Sequence, residues 1–408
     1  MTKYIQQYDP EVYEALKEEK RLKEWINLIP SENYTYPEVL EMLGTVFNDK
    51  YSEYPGRRYY GGNEFTDKVE TLAIERAKKI FRAEHANVQS LSGSPMNQAA
   101  YLALLEPGDT VLAMDLSHGG HLTHGAPVSH MGKIFNFIRY KTNPDNGKID
   151  FEKLMELAKK VKPKLVLCGY TSYPRDYDYS DFKKIADEVA LTMADVSHIG
   201  LIAAGVMANP LDYGFDVMTT TTHKTLRGPR GMILCKKEHA KKIDKSVFPG
   251  LQGPHMHTIA SLAAALNRAL KPEFKIRGQQ VLDNSKALAA RLMELAKLIT
   301  DGTDNHMIVV NTVESFEIDG TVAEETLEKV ITVNKQIIPD DPNPPLRPSG
   351  IRLGTPAITS RGLKEEQAAL IEIMYEALSN HENEAKLAEL KEKIKNLSEF
   401  PLDYDKLK

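Results

Sequence analysis

Apolar residues recur at helical spacing through the first charged stretch, with Val12, Leu16, Leu22, Trp25 and Ile26 falling between about residues 9 and 27. That period predicts an amphipathic N-terminal arm. Leu28-Ile29-Pro30-Ser31-Glu32-Asn33-Tyr34 breaks it, and Pro37, a favoured first-turn residue, predicts the start of the next helix. From residue 68 the pattern alternates. A helix over 68–81 precedes a short strand at 86–89, and a second helix runs from the Ser92-Gly93-Ser94-Pro95 turn through Leu105. Further strands are expected at 109–114, 164–168, 191–195, 215–222 and 231–235, with a helix over 181–189. Strands alternating with helices predict an α/β fold built on a mostly parallel sheet. Ligands of such sheets bind beyond the carboxyl ends of the strands.

After residue 257 the period changes. Helices are expected over 257–270, from 274 to about 298, and over 322–329, 365–378 and 381–397, with a strand at 307–313 and a proline-rich irregular stretch at 340–348. The chain therefore reads as an N-terminal helical arm (1–50), a large domain (51–279) and a smaller C-terminal α+β domain (280–408).

Composition is that of an ordinary globular protein of 408 residues. A net charge of -5 argues against a broad nucleic-acid footprint. The two cysteines, Cys168 and Cys235, lie in apolar strand-like runs and read as buried structural thiols. Met1 to Gln7 lack an apolar signal core and no run reaches membrane-spanning length, so a cytoplasmic location without a membrane partner is expected.

The chemistry centres on Thr219-Thr220-Thr221-Thr222-His223-Lys224-Thr225-Leu226-Arg227-Gly228-Pro229-Arg230. Four β-branched threonines continue a buried strand that runs out at His223-Lys224. Taken alone, a solvated lysine is the commoner explanation. A desolvated lysine there has a lowered pKa and an amine able to form a Schiff base. Asp195 closes the preceding strand about thirty residues earlier. Strand-end Asp followed by strand-end Lys is the arrangement a pyridoxal phosphate site requires: the carboxylate keeps the pyridine nitrogen protonated and the lysine carries the aldehyde. Ser92-Gly93-Ser94 at a helix start offers hydroxyls and free N–H groups for a phosphate, although a plain serine N-cap explains it as simply. Neither a GxxxxGK[ST] nor a GxGxxG motif is present. His118, His121 and His124 stand at metal-ligand spacing, but Gly119-Gly120 argues against a continuous helix, and a histidine stacked on a cofactor ring fits better than a metal. The residues between Lys50 and Gly62, rich in tyrosine, arginine and glycine, suit anion binding or ring stacking as well as a plain polar loop. Arg352, beyond the proline-rich stretch, could grip a carboxylate.

Ser31-Glu32-Asn33, Arg58-Tyr59-Tyr60-Gly61-Gly62, Ser92-Gly93-Ser94, His118 to Gly125, Asp195-x-x-His198, Thr219 to Arg230, Gly302-Thr303-Asp304-Asn305-His306 and Ser349-Gly350-Ile351-Arg352 together resemble the serine hydroxymethyltransferase family, over about residues 25 to 380. The resemblance implies a pyridoxal-phosphate transferase of fold type I, working as a homodimer or tetramer with shared active sites. It implies Lys224 as the Schiff-base lysine, Asp195 on the pyridine nitrogen and His121 stacked on the ring. Ser92, Gly93 and Ser94 would hold the phosphate with Tyr51 and Gly253 across the dimer, while Thr171, His198 and His223 support the cofactor. Ser31 and Arg352 would hold the amino acid. Glu53 would be the acid/base, with Tyr59 and Tyr60 close by, and Leu116, Gly120 and Leu122 would line the pterin site. The implied reaction converts serine and tetrahydrofolate, or a related tetrahydropterin, to glycine and the methylene carrier.

Six places lack a glycine the family usually has: Glu53-Tyr54, Val189-Ala190, Ile199-Gly200-Leu201, Arg230-Gly231-Met232, Gln252-Gly253-Pro254 and Val330-Ile331. Gln336 replaces the family's usual asparagine and Leu346 its usual aromatic, which leaves a modified pterin such as tetrahydromethanopterin open. A pterin-independent β-hydroxy-amino-acid aldolase, and a cofactor-binding scaffold with impaired activity, are the competing expectations.

Overall fold

Strands of three to five residues build one seven-stranded sheet, its central ones apolar and β-branched runs buried along nearly their whole length. The structure, a computed structural model, describes residues 3–22, 25–54, 56, 58–186, 190–364 and 369–397. Its strands are β1 (His85–Asn87), β2 (Thr110–Met114), β3 (Asn136–Tyr140), β4 (Leu165–Gly169), β5 (Leu191–Asp195), β6 (Val217–Thr221) and β7 (Gly231–Cys235), in the spatial order β1-β7-β6-β5-β4-β2-β3. Neighbours from β6 to β3 are parallel, whereas β7 pairs antiparallel with both β6 and β1.

Every residue of β4, β6 and β7 is buried, which is why these strands read as continuous apolar runs rather than alternating ones. Side chains still alternate between two helix-covered faces: Leu112, Val166, Ala194 and Met218 enter one core, and Val111, Leu165, Met193 and Val217 the other. The strand order reverses between β2 and β4, so a crevice opens beyond Met114 and Gly169.

A second sheet, β8 (Met307–Asn311), β9 (Asn334–Gln336) and β10 (Gly350–Gly354), is antiparallel with β10 central. Its core takes Ile308, Val310, Ile351 and Leu353, together with Leu370 and Met374 of the helix Ala369–Ser379. Ile26 and Leu28 join this core from the N-terminal end. The Leu28 N–H donates to the Thr332 carbonyl at 2.8 Å, and the Gly354 N–H to the Leu28 carbonyl at 2.6 Å. The helix Pro272–Met293 carries Phe274 into the first core and Leu288 and Leu292 into the second, and residues 279 and 280 lie inside it.

The stretch that carries Arg352 is strand β10, an element the apolar pattern does not predict. Glycines at both ends concealed it: the Gly350 Cα lies where a Cβ would meet the Val310 carbonyl at 2.6 Å. Strands β3 and β9 and the helices Phe151–Val161 and Lys237–Lys245 also go beyond the pattern-based expectation. The helix expected over 181–189 spans Tyr179–Ala186, and residues 187–189 lie outside the described residues, as do 365–368 of the helix expected over 365–378. Among the described residues no helix is long and apolar enough to cross a membrane.

Candidate active site at the sheet's switch point

Thr221 is the last residue of β6 paired in the sheet, and the chain turns immediately after it. The Thr222 N–H returns to the Arg230 carbonyl at 2.7 Å, and the Gly228 N–H to the Thr222 carbonyl at 2.8 Å. Lys224 therefore sits on a closed turn at the sheet's carboxyl edge. Its ammonium donates to Thr221 Oγ1 at 3.1 Å. Burial lowers its pKa to about 8, against an upward pull from Asp195 and with a further push down from Arg352. At that value roughly a tenth of the amine is free at pH 7, far more than for an ordinary lysine.

Asp195 ends β5, the strand beside β6, and is 5% exposed. Oδ2 accepts from Asn97 Nδ2 at 2.8 Å and His124 Nε2 at 3.1 Å, and Oδ1 accepts from the Ser197 N–H at 3.1 Å and hydroxyl at 2.6 Å. Burial alone would raise its pKa. The hydrogen bond and charge of His124, with His121 and Ser197 behind, instead hold the carboxyl well below the usual range. The group is a buried, ionised acceptor.

Beyond β2, the Gly119-Gly120 turn brings His121 back over this edge. A Cβ on Gly120 would lie 2.2 Å from the Met114 carbonyl oxygen, so no other residue fits that close approach. Burial lowers the His121 pKa to about 4, opposed by Asp195. Its Nδ1 contacts Thr123 Oγ1 at 2.7 Å. His118 turns instead to Thr142 Oγ1 at 2.8 Å and His124 to Asp195, so the three histidines do not converge.

Ser92 N-caps the helix Gly93–Leu104, but its side chain makes no capping bond. The simple N-cap explanation therefore does not account for that hydroxyl. A Cβ on Gly93 would meet Thr221 Cγ2 at 2.8 Å, which sets this helix start directly against the end of β6. Thr171 follows β4, and its N–H donates to the Gly119 carbonyl at 2.7 Å. Its own carbonyl accepts from Arg352 Nη1. Arg352 is 6% exposed and also reaches Asn334 Oδ1 at 3.3 Å; burial lowers its pKa to about 10. His198 is buried, with its ring near-parallel to that of His306 and Nδ1 3.4 Å from His306 Nε2. Burial comes first in lowering both imidazoles, followed by the positive charges of Lys224 and Arg352. Ser31 follows Pro30, whose Cα a Cβ on Gly354 would meet at 2.4 Å, so Ser31 lies beside the strand of Arg352. His223 is exposed next to Lys224, while Leu116 and the exposed Leu122 flank the Gly119-Gly120 turn.

Lys224, Asp195, His121, His198, Thr171 and Arg352 are thus brought together, with Ser92 to Ser94 and Ser31 at the rim. Tyr51, Glu53, Tyr59 and Tyr60 are not. They form a separate surface cluster: Tyr60 packs edge-on against Tyr51 and Tyr59 with ring centroids 5.2 and 5.3 Å apart, and Glu53 hydrogen-bonds Tyr51. Among the described residues this cluster makes no hydrogen bond, ion pair or ring contact with Lys224, Asp195 or Arg352. A Cβ on Gly253 would meet no atom within 4 Å, while its neighbour Gln252 accepts through Oε1 from the Leu91 N–H at 3.2 Å, beside the Ser92 helix start.

Two of the six shortened turns are closed by a residue taking the left-handed backbone that glycine otherwise supplies, Tyr54 at φ 61° and Arg230 at φ 81°. Val189 lies outside the described residues. Local pattern does not mark Asn97 or Ser197 as site residues and leaves His124 as one of three spaced histidines; Asn97 and His124 reach Asp195 across 98 and 71 residues of chain.

A lysine of lowered pKa, an ionised buried carboxylate, an imidazole face and a twelve-residue helix start with a spare hydroxyl match the aldehyde, protonated ring nitrogen, ring face and phosphate of pyridoxal phosphate. The described residues fit that group. A sequence model described as serine hydroxymethyltransferase matches residues 5–374 of the 408.

Proposed function

The chain belongs to the serine hydroxymethyltransferase family, and from that premise we propose that it catalyses reversible transfer of the serine hydroxymethyl carbon to a tetrahydropterin. Serine and the carrier become glycine, the 5,10-methylene carrier and water. The family is pyridoxal-phosphate dependent and of fold type I, to which the seven-stranded sheet and the separate three-stranded sheet correspond. The observation that carries the reading is the convergence of Lys224, Asp195 and Arg352 at one sheet edge.

When bound, pyridoxal phosphate supplies the electron sink that takes up the pair left as the serine Cα–Cβ bond breaks. The chain's own groups do the rest. The Lys224 amine would attach the cofactor, Asp195 would hold the proton on its ring nitrogen, and the His121 imidazole would pack against its ring. Ser92, Gly93 and Ser94 offer hydroxyl and N–H donors to the phosphate at the positive end of a helix. Thr171, His198 and His223 border the same edge. Arg352 pairs with the amino-acid carboxylate, with Ser31 beside it, and its forked geometry fixes the Cα substituents in orientation. Glu53 moves the proton of the serine hydroxyl, with Tyr59 nearby. Leu116, Gly120 and Leu122 offer an apolar wall to the pterin. Because Tyr51, Glu53 and Tyr59 make no contact with Lys224 within one chain, we assign them, and the Gly253 loop with them, to the site of a second copy in a homodimer.

Left-handed closure at Tyr54 and Arg230 supports an active enzyme over a silent scaffold, since the turns beside Glu53 and Lys224 close without glycine. The test is serine cleavage with and without tetrahydrofolate or tetrahydromethanopterin. Pterin-dependent cleavage is expected, and equal rates without any pterin would favour the aldolase.

A further inference from the structure

Lys224 lies three residues beyond the last sheet-paired residue, so no strand ladder sets its peptide plane. Its carbonyl is instead the acceptor for a side chain 191 residues away: Asn33 Nδ2 donates to the Lys224 oxygen at 2.8 Å. The other end of the same amide is held just as firmly. Asn33 Oδ1 accepts from the Tyr34 N–H at 2.9 Å, from Ser360 Oγ at 2.7 Å and from Arg277 Nη2 at 3.4 Å. Arg277, 9% exposed, also donates to the Thr225 carbonyl at 3.4 Å, the Pro356 carbonyl at 3.3 Å and the Ser360 hydroxyl.

Three parts of the site meet in this knot. Asn33 is two residues from Ser31. Thr225 follows Lys224 directly. Pro356 and Ser360 bound the short helix that leaves β10, the strand of Arg352. Arg277 itself stands on the helix Pro272–Met293, which runs between the two cores. A planar amide with one donor edge on Lys224 and one acceptor oxygen on the C-terminal part fixes how far the lysine stands from the carboxylate-binding arginine.

We propose that Asn33 is a positioning residue for Lys224, held in register by Ser360 and Arg277. The assignment rests on the reading of Lys224 as the cofactor-bearing lysine. Asn33 touches no reacting atom; it acts through the lysine's backbone. A displacement of about 1 Å in a reacting group costs on the order of a hundredfold in rate.

The experiment measures capture of pyridoxal phosphate by protein stripped of cofactor, as growth of a visible absorbance band across a pH series. Asn33→Ala changes no charge, so a shift reports geometry and solvation rather than a new field. The expected result is a folded variant, by circular dichroism and thermal melt, whose capture slows by about a hundredfold and whose pH midpoint moves up toward that of an ordinary lysine. Ser360→Ala, which leaves the Lys224 bond and removes one holder of the amide, is expected to shift both in the same direction by less. A folded Asn33→Ala with wild-type rate and midpoint overturns the proposal. Should Asn33→Ala fail to fold, Ser360→Ala decides, and wild-type behaviour there overturns it. Wild-type protein that captures no pyridoxal phosphate overturns the underlying reading as well, a result distinct from either of these.

Discussion

His124 and Asp195 meet through Nε2 and Oδ2 at 3.1 Å, with side chains 1% and 7% exposed. The contact keeps Asp195 ionised despite its burial. Because the folded-state pKa is depressed, the stability it contributes is present above the unfolded carboxylate value of about 3.9 and is lost as pH falls through the folded value. Wild-type protein is expected to lose stability below about pH 4. His124→Phe should cost roughly 1.5–3 kcal/mol at neutral pH and flatten that acid leg. Denaturant melts at stepped pH read both, and an acid leg unchanged in the variant would count against the contact.

Among the described residues, buried Arg352 has only neutral oxygens, Asn334 Oδ1 and the Thr171 carbonyl, as hydrogen-bond acceptors. A cation in that setting is available to an incoming carboxylate. Arg352→Lys keeps charge but loses the fork, and should lower kcat/KM for serine by roughly a hundredfold or more. Steady-state kinetics would show it mainly as raised KM. A variant with unaltered KM for serine and glycine would remove Arg352 from the substrate site.

Glu53 and Lys224 belong to clusters that do not touch within one chain, so two defective proteins should complement. Glu53→Gln and Lys224→Ala, each nearly inactive alone, are expected to regain about a quarter of wild-type activity when refolded together in equal amounts, since half the dimers would be mixed and each would hold one intact site. Absence of any recovery in verified mixed dimers would place Glu53 in its own chain's site.

Much of this architecture is legible locally. β5, β6 and β7 are short apolar or β-branched runs, and period alone finds them because strand burial is written into consecutive residues. β3 escapes because it is an edge strand with one buried residue, Tyr140, whose pattern matches no template well. β10 escapes because of its terminal glycines. The same division runs through the site. Lys224 and Asp195 stand at strand ends, where position itself carries meaning. Asn33 meets Lys224, Arg277 meets Asn33 and His306 meets His198 through contacts more than a hundred residues apart. No local pattern encodes such pairings; they exist once the two cores have docked.

The central claim is that Lys224 carries the cofactor. The direct measurement is the visible absorption of the stripped protein on adding pyridoxal 5'-phosphate, in wild type and Lys224→Ala, followed by glycine and then a tetrahydropterin. With the Lys224 pKa lowered to about 8 by burial, the amine becomes free as pH rises through that value, so capture should quicken over the same range. The account predicts a visible band in wild type that Lys224→Ala does not form, and a further spectral shift when glycine and pterin are both present. A band of equal strength in Lys224→Ala, or none in folded wild-type protein, would contradict it.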